Sequence, residues 1–375
     1  MNKFKFYFIV ITASVLFFSC SKDDNEVTIA PPVAFEVQYP LDIAIIKDYL
    51  TTHYITVINH PGFVDDQDVT ITKIDKGQPS IMSYLNSTTY PKLLIRPVKL
   101  HNVDYELYYL VLREGKKDLV TGYGGVSPCN VDGVLASYKG TYLSRSAATA
   151  TPALELTATF FEELKYPQAP ESLFTVITGW SEIFPLFKTG TSDINADGTV
   201  THKDFGAGVM FIPSGLAYYN TGKGSIPAYA PLVFSFKLYN IERLDQDNDG
   251  IPSYQEDFNT LVGDGIKDGY MRILATGVAN PDDTDGDGIP DFLDVDDDGD
   301  NYTTKLEITK PTGTNSGLSL YFPYDPIVDN PLTTVIETES KGIPSYDATK
   351  VEKFDYTTPN RLRIHLDNKY PLKKP

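Results

Sequence analysis

Along residues 39–54, YPLDIAIIKDYLTTHY, apolar side chains recur at Leu41, Ile45 and Tyr49 and again at Ile46 and Leu50. Steps of three and four place them along one side of a helix, and Pro40 suits its first turn. The pattern therefore predicts a short helix. From about residue 68 the period shortens to two. DVTITKI, KLLIRPV and YELYYLVLREG predict strands up to about 112, and GVLASYKGTYL, GVMFIPSG and PLVFSFKLYNIE continue the pattern to Glu242. Gly- and Pro-bearing loops separate them, with only brief helical stretches. The expected fold class is α+β and rich in strands. After Glu242 the hydrophobic pattern gives way to Asp/Gly loops, and after about 308 to a Pro/Thr-rich tail, where RLRIHLDNKY reads as a final strand.

The first residues follow a different logic. Lys3 and Lys5 precede an apolar run over 6–18, too short for a bilayer-spanning helix of about 20 residues and suited to the core of a secretory leader. Ser19-Cys20 then resembles a bacterial lipobox, although Phe17 and Phe18 stand where leucine and a small residue are usual. The resemblance implies cleavage after residue 19 and lipidation of Cys20; a plain secretory leader with a chance cysteine is the other reading. SKDD behind Cys20 resembles the export signal of some surface lipoproteins. Residues 20–38, polar and containing APPVAF, suit a spacer off the membrane. The expected location is the cell envelope, lipid-anchored, on the periplasmic or surface face of an outer membrane. Cys129 is the only other cysteine, which rules out an internal disulfide in such a chain.

The 375 residues carry a formal charge of −18, but unevenly. Between Asp245 and Asp300 sixteen Asp and one Glu face one Lys and one Arg, so this stretch holds −15 of it. The acidity is a local device, and no basic, aromatic-interleaved surface for nucleic acid is present. Residues 245–256, DQDNDGIPSYQE, fit D-x-D-x-D-G-x5-E at every specified position. Calcium takes six to eight oxygens at about 2.3–2.6 Å, and this spacing folds them around one ion. Asp245, Asp247 and Asp249 would supply carboxylates, Gly250 the sharp turn, Ile251 its carbonyl and Glu256 a bidentate carboxylate. DTDGDGIPDFLD offers Asp283, Asp285, Asp287, the Ile289 carbonyl, Asp291 and Asp294 in the same register. A third loop has two frames. Starting at Asp294 it ends on Lys305, which cannot ligate; starting at Asp296 it offers Asp298, Asp300 and Glu307, with Asn301 in the glycine position. The second frame is preferred, since Asn tolerates left-handed φ.

These tandem loops resemble the calcium-binding repeats of thrombospondin type 3 modules, which implies structural calcium; a solvated acidic linker is the bland alternative. Flanking helix pairs of a calcium switch are not evident. A fourth stretch, DINADGTVTHKD, is similar to a dockerin loop through Asp193, Asn195, Asp197, Thr199 and Asp204, and reads equally well as a hydrophilic β-turn.

VITGWSEIFPLFKTG (176–190) and GVMFIPSGLAYYNTGKGSIPAYAPLVFSFKL (208–238), with VLASYKGTYL (134–143), resemble the FKBP-type peptidyl-prolyl isomerases over about 105–243. The resemblance implies a bent antiparallel sheet around a short helix, with an apolar pocket between them. It assigns Trp180 to the pocket floor, Val176 and Ile177 to its approach, and Tyr138, Tyr218, Ile226 and Phe234 to its walls. The Tyr218 hydroxyl would hold a substrate carbonyl. The family's Phe-Asp-Ser-Ser stretch is missing, and TFFEELKYP makes Phe161 and Glu162 the substitutes by position. Tyr219 stands where glycine is usual, and Pro227-Ala228 replaces a double proline. As plain chemistry these residues also read as core.

The expected organisation is a leader at 1–19, a spacer at 20–38, a helix-and-strand region at 39–104, the isomerase-like domain at 105–243, the calcium loops at 244–307 and a tail at 308–375. The expected activity is prolyl isomerisation or chaperoning of exported, proline-containing chains. The competing class is a non-catalytic surface-binding or adhesion lipoprotein on a degenerate scaffold of the same fold.

Overall fold

In the computed structural model, the helix predicted at 39–54 runs from Phe35 to Thr52 (α1) and carries Pro40 inside it. Its buried stripe is Gln38, Asp42, Ile46, Tyr49 and Leu50, whereas Leu41 is 58% exposed. The helix is thus rotated from the face that apolar periodicity selects, because two polar residues at four-residue steps continue the stripe and find partners. The structure describes residues 31–118, 124–146, 149, 154–257, 270–274, 277–311, 319–327 and 339–370. Cys20 and the expected leader lie outside them.

A two-stranded ribbon follows α1: β1 (His53–Val57) and β2 (Val69–Lys73). The main sheet takes β3 (Lys92–Leu100), β4 (Val103–Arg113), β5 (Gly133–Arg145), β6 (Leu156–Leu164), β7 (Glu171–Ser172), β10 (Gly206–Ile212) and β11 (Leu232–Glu242). Its order is β3-β4-β10-β11-β5-β6, with β7 also paired to β5, and every pair is antiparallel. The central β10 is buried along its whole length, which fits its unbroken apolar run. Met210 and Ile212 face one core with Phe234 and Phe236, while Val209 and Phe211 face a second core with Ile46, Tyr49 and Leu50 of α1. A short helix, α2 (Thr178–Ile183), packs on the first face. Gly179 permits that approach, since a Cβ there would stand 2.6 Å from the Ile212 side chain.

The architecture is α+β with an antiparallel sheet wrapped on a short helix, as expected. The boundaries differ. The limit expected at 104/105 falls inside β4, and β3 belongs to the sheet as the outer half of a hairpin with β4. RLRIHLDNKY forms a single 3-10 turn, Ile364–Leu366, in place of a strand. From Phe35 to Pro375 the chain forms one unit; the other, Met1–Ala34, is described only over residues 31–34, which hold no helix or strand.

The aspartate loops are built into this unit. Arg243 pairs with the fully buried Asp132, Asn130 exchanges two hydrogen bonds with the Met271 backbone at 2.9 and 2.7 Å, and Phe292 meets Phe174 edge-on at 6.0 Å. Ile251, Ile308, Phe322, Tyr324, Ile343 and Ile364 form a further core, so the loops and the C-terminal segment bury apolar surface against each other.

Candidate functional site

Between α2, β5, β6, β11 and the 217–223 loop lies a cavity of about 600 Å³. Tyr138, Phe161, Glu162, Val176, Ile177, Trp180, Tyr218 and Phe234 line it, so eight of the expected residues meet in one place. Trp180 is buried at its base, with ring contacts to Tyr138 at 5.0 Å, Phe184 at 5.2 Å and Phe234 at 5.3 Å. Edge-to-face packing with two of them fixes the indole plane, and its Nε1 has no hydrogen-bond partner. Phe161 meets Phe234 edge-on at 5.5 Å.

The Tyr-x-Gly of β5 has a packing reason: a Cβ on Gly140 would lie 2.3 Å from the Phe161 ring and 2.9 Å from Phe234. Burial, followed by the charge of the adjacent Glu162, pushes the Tyr138 hydroxyl up to about 12. It therefore stays protonated and able to donate. Tyr218 carries Lys223 over its ring at 5.1 Å.

Ile226 is a correction. It is buried in the core and does not line the cavity, and its N–H is spent on the Lys223 carbonyl at 2.9 Å. Glu171, Thr175, Thr178, Ala217 and Lys223 complete the lining. Sequence reasoning missed them because they lie on loops or at the ends of very short elements, β7 and α2, where no periodicity marks a face. Tyr219 adopts φ of +43°, the conformation that favours glycine there, and stacks on Phe35 of α1 at 4.0 Å. α1 also holds the segment just before it. The buried Asp42 carboxylate accepts from the Ser214 N–H at 2.7 Å, the Ser214 hydroxyl at 2.6 Å and Gln38 at 2.7 Å.

The three aspartate loops share one backbone conformation. The fourth residue of each has positive φ (Asn248 +64°, Gly286 +77°, Gly299 +67°), as does the sixth (Gly250 +106°, Gly288 +100°, Asn301 +74°). In each loop the carboxylate at position three accepts from the N–H of position five at 3.1, 2.9 and 3.2 Å, and the carboxylate at position five from the N–H of position seven at 2.7, 2.7 and 2.8 Å. The frame beginning at Asp296 is thus the one in which the third loop repeats the others.

Carboxylates gather as Asp245–Asp247–Asp249, Asp283–Asp285–Asp287 and Asp296–Asp298–Asp300. Glu307 is buried beside the third group; burial, then the charges of Asp298, Asp300 and Asp296, raises it to about 9. Asp294 is raised by burial and then by Asp287 and Asp285. Asp291 instead accepts from the Thr284 N–H at 2.8 Å and hydroxyl at 2.7 Å, and stands outside the group of its own loop.

The stretch similar to a dockerin loop is a β-hairpin, β8 (Thr191–Ile194) and β9 (Val200–Lys203). Asp193 pairs with Lys203 at 2.6 Å and Asp204 lies 3.3 Å from Lys116, while Asp197 accepts from Thr199. The hairpin bonds Asn195 and Thr199 across the turn, so Asp193, Asp197 and Asp204 do not converge. Of the two readings, the hydrophilic turn is the one the structure has.

Among the described residues no helix is long and apolar enough to cross a membrane. A family model described as BamM C-terminal matches residues 246–335, which span the aspartate loops and the start of the C-terminal segment. No curated protein matches the chain. Similar solved structures include a peptidyl-prolyl cis-trans isomerase from Pseudomonas syringae pv. tomato, 15% identical, with 56% of this chain and 98% of that one covered and a TM-score of 0.29. FkpA from Escherichia coli is 21% identical over 42% of this chain and 54% of its own, with a TM-score of 0.26. The three FKBP domains of wheat FKBP73 are 17% identical over 36% and 46%, with a TM-score of 0.24, so this chain spans about half of the latter two.

Proposed function

We propose that the chain is a peptidyl-prolyl cis-trans isomerase or prolyl-directed chaperone of the cell envelope, with its aspartate loops stiffened by structural calcium. The observation that carries this reading is the meeting of Trp180, Tyr138, Phe161 and Phe234 with Val176, Ile177 and Tyr218 around one cavity, aromatic and aliphatic on these sides and polar where Glu162, Glu171, Thr175, Thr178 and Lys223 line it. Rotation about a prolyl amide is opposed by a barrier of roughly 18–20 kcal/mol, because amide resonance is lost in the twisted state. The twisted amide has a less polar carbonyl and a pyramidal nitrogen, so it needs less solvation than either planar form. A cavity floored by the indole face and walled by aromatic rings favours it over the planar ground states. Tyr218 or Tyr138 would donate to the carbonyl while the ring turns. No covalent or acid–base step is needed.

The substrates would be proline-containing segments of exported proteins, and Cys20, lipidated, would tether the chain to the outer membrane. Calcium would be held by Asp245, Asp247, Asp249, the Ile251 carbonyl and Glu256, by Asp283, Asp285, Asp287, the Ile289 carbonyl and Asp294, and by Asp296, Asp298, Asp300 and Glu307. The hard, all-oxygen donor set fits that ion. Several of these carboxylate oxygens are buried without a hydrogen-bond partner, including one each on Asp247, Asp249, Asp298 and Glu307.

Trp180 is the only tryptophan, so binding reports on itself. Short Xaa-Pro peptides are expected to shift its fluorescence saturably, and matched Xaa-Ala peptides to do so at least tenfold more weakly. Equal response to both would remove the prolyl specificity and favour a general binding module.

A further inference from the structure

Three carboxylates from two loops far apart in sequence meet in the interior. Asp249 and Glu256 come from the first loop and Asp297 from the third, and one oxygen of each lies within 4.8 Å of the other two. Asp249 is 2% exposed and Glu256 and Asp297 are each 1% exposed. Asp249 Oδ1 accepts from the Ile251 N–H at 2.7 Å. Its Oδ2, both oxygens of Glu256 and both of Asp297 have no hydrogen-bond partner. Lys305, whose charge acts on Asp249, sends its ammonium to the Asn248 carbonyl at 2.8 Å.

Two other buried carboxylates are partnered instead. Asp291 takes two hydrogen bonds from Thr284, and Asp132 takes Arg243 and the Cys129 N–H. Burying an ion without a partner is strongly unfavourable, and three like charges in contact add repulsion. Five unpartnered, buried oxygens converging from two loops have the form of a cation site completed from a distance.

We propose that Asp297 is a cross-loop ligand, closing on the ion of the 245–256 loop so that one divalent cation of calcium's class fastens the third loop to the first. The inference rests on the reading of that first loop as a calcium site. It explains the density of the VDDDGD run. Asp296, Asp298 and Asp300 face their own loop, and Asp297, between them, faces the other. The repeat pattern assigns no ligand to Asp297's position, so spacing alone does not find it. The cation then does what a disulfide does in other exported chains: it closes the chain between Glu256 and Asp297 into a loop.

The test uses the full chain, stripped with a chelator and titrated with calcium by calorimetry, as wild type, Asp297→Asn and Asp245→Asn. Asp297→Asn is expected to lose one site or weaken it at least tenfold and to leave the rest unchanged. Melting supplies a signature that a merely structural carboxylate would not give. In chelator Asp297→Asn should melt at or above wild type, because a buried carboxyl without a partner is gone, and calcium should raise its melting temperature less. Wild-type stoichiometry and affinity in Asp297→Asn, with weakened binding in Asp245→Asn, overturns the cross-loop ligand and leaves the first-loop site standing. Absence of calcium binding by wild type overturns both. A lower melting temperature for Asp297→Asn in chelator, with binding intact, assigns the residue to folding alone and also overturns the proposal.

Discussion

The contact between Asp42 and Ser214 joins a helix outside the expected isomerase domain to the loop that carries Tyr218, and it can be tested by removing one carboxylate. Asp42→Ala takes the acceptor from the Ser214 N–H, the Ser214 hydroxyl and Gln38 Nε2. Ser214 is fully buried, so neither of its donors can turn to water. A buried donor left unpaired costs about 1–3 kcal/mol, and hydrogen bonds to a charged acceptor are worth about 1.5–3 kcal/mol each. Part of that is offset, because burial itself raises the Asp42 pKa and so opposes its charged form. The balance is a loss of about 3 kcal/mol, with two orphaned donors as the main contribution. Urea unfolding of the full chain, followed by Trp180 fluorescence, measures it. Ser214→Ala alone should cost about 1 kcal/mol, since its N–H keeps the carboxylate. In the double variant that cost should vanish, giving a coupling of about 1 kcal/mol. A change under about 0.5 kcal/mol for Asp42→Ala, or strict additivity in the double variant, would refute the reasoning.

Gly140→Ala places a Cβ against Phe161 and Phe234, and should cost about 1–3 kcal/mol by overpacking and lower turnover of an Xaa-Pro peptide beyond the loss of folded protein. An unchanged urea midpoint contradicts the packing. With calcium chelated, burial and neighbouring charge hold Glu307 at about 9 and Asp297 at about 10, far above an unfolded carboxylate. Between those limits the folded chain binds more protons than the unfolded one, so stability falls as pH rises. Melting in EDTA should therefore decline from about pH 5.5 to about pH 8, and saturating calcium should abolish the slope; a melting temperature rising with pH in EDTA contradicts this. Asp197→Ala, in the β8–β9 hairpin, should leave the calcium isotherm unchanged, and loss of a site there would restore the dockerin-like reading.

Five strands of the main sheet, β3, β4, β5, β10 and β11, are legible in the sequence because their apolar runs are long, whereas β6, largely exposed, is not, and the aspartate loops are legible because three copies share one spacing. The pocket residues are legible only as a linked set: Gly179-Trp180, Ala217-Tyr218 and Phe234 are unremarkable singly and converge through sheet topology. Three features escape such reading for physical reasons. The buried face of α1 includes Gln38 and Asp42, whose burial depends on a hydrogen-bond partner 172 residues from Asp42. Ile226 has the chemistry of a pocket wall, but the Lys223–Ile226 turn folds it inward. Asp297 looks like one more aspartate in a run, and only the packing of the third loop on the first gives it a separate neighbourhood.

The central claim is that the cavity around Trp180 turns prolyl bonds. Its most direct test is prolyl cis/trans exchange in a short Xaa-Pro peptide, measured by NMR with the full chain, calcium present, and Trp180→Leu as control. The account predicts exchange well above the uncatalysed rate for wild type and near that rate for the variant. Uncatalysed exchange in the presence of folded wild-type protein would contradict it and leave a binding role for the cavity.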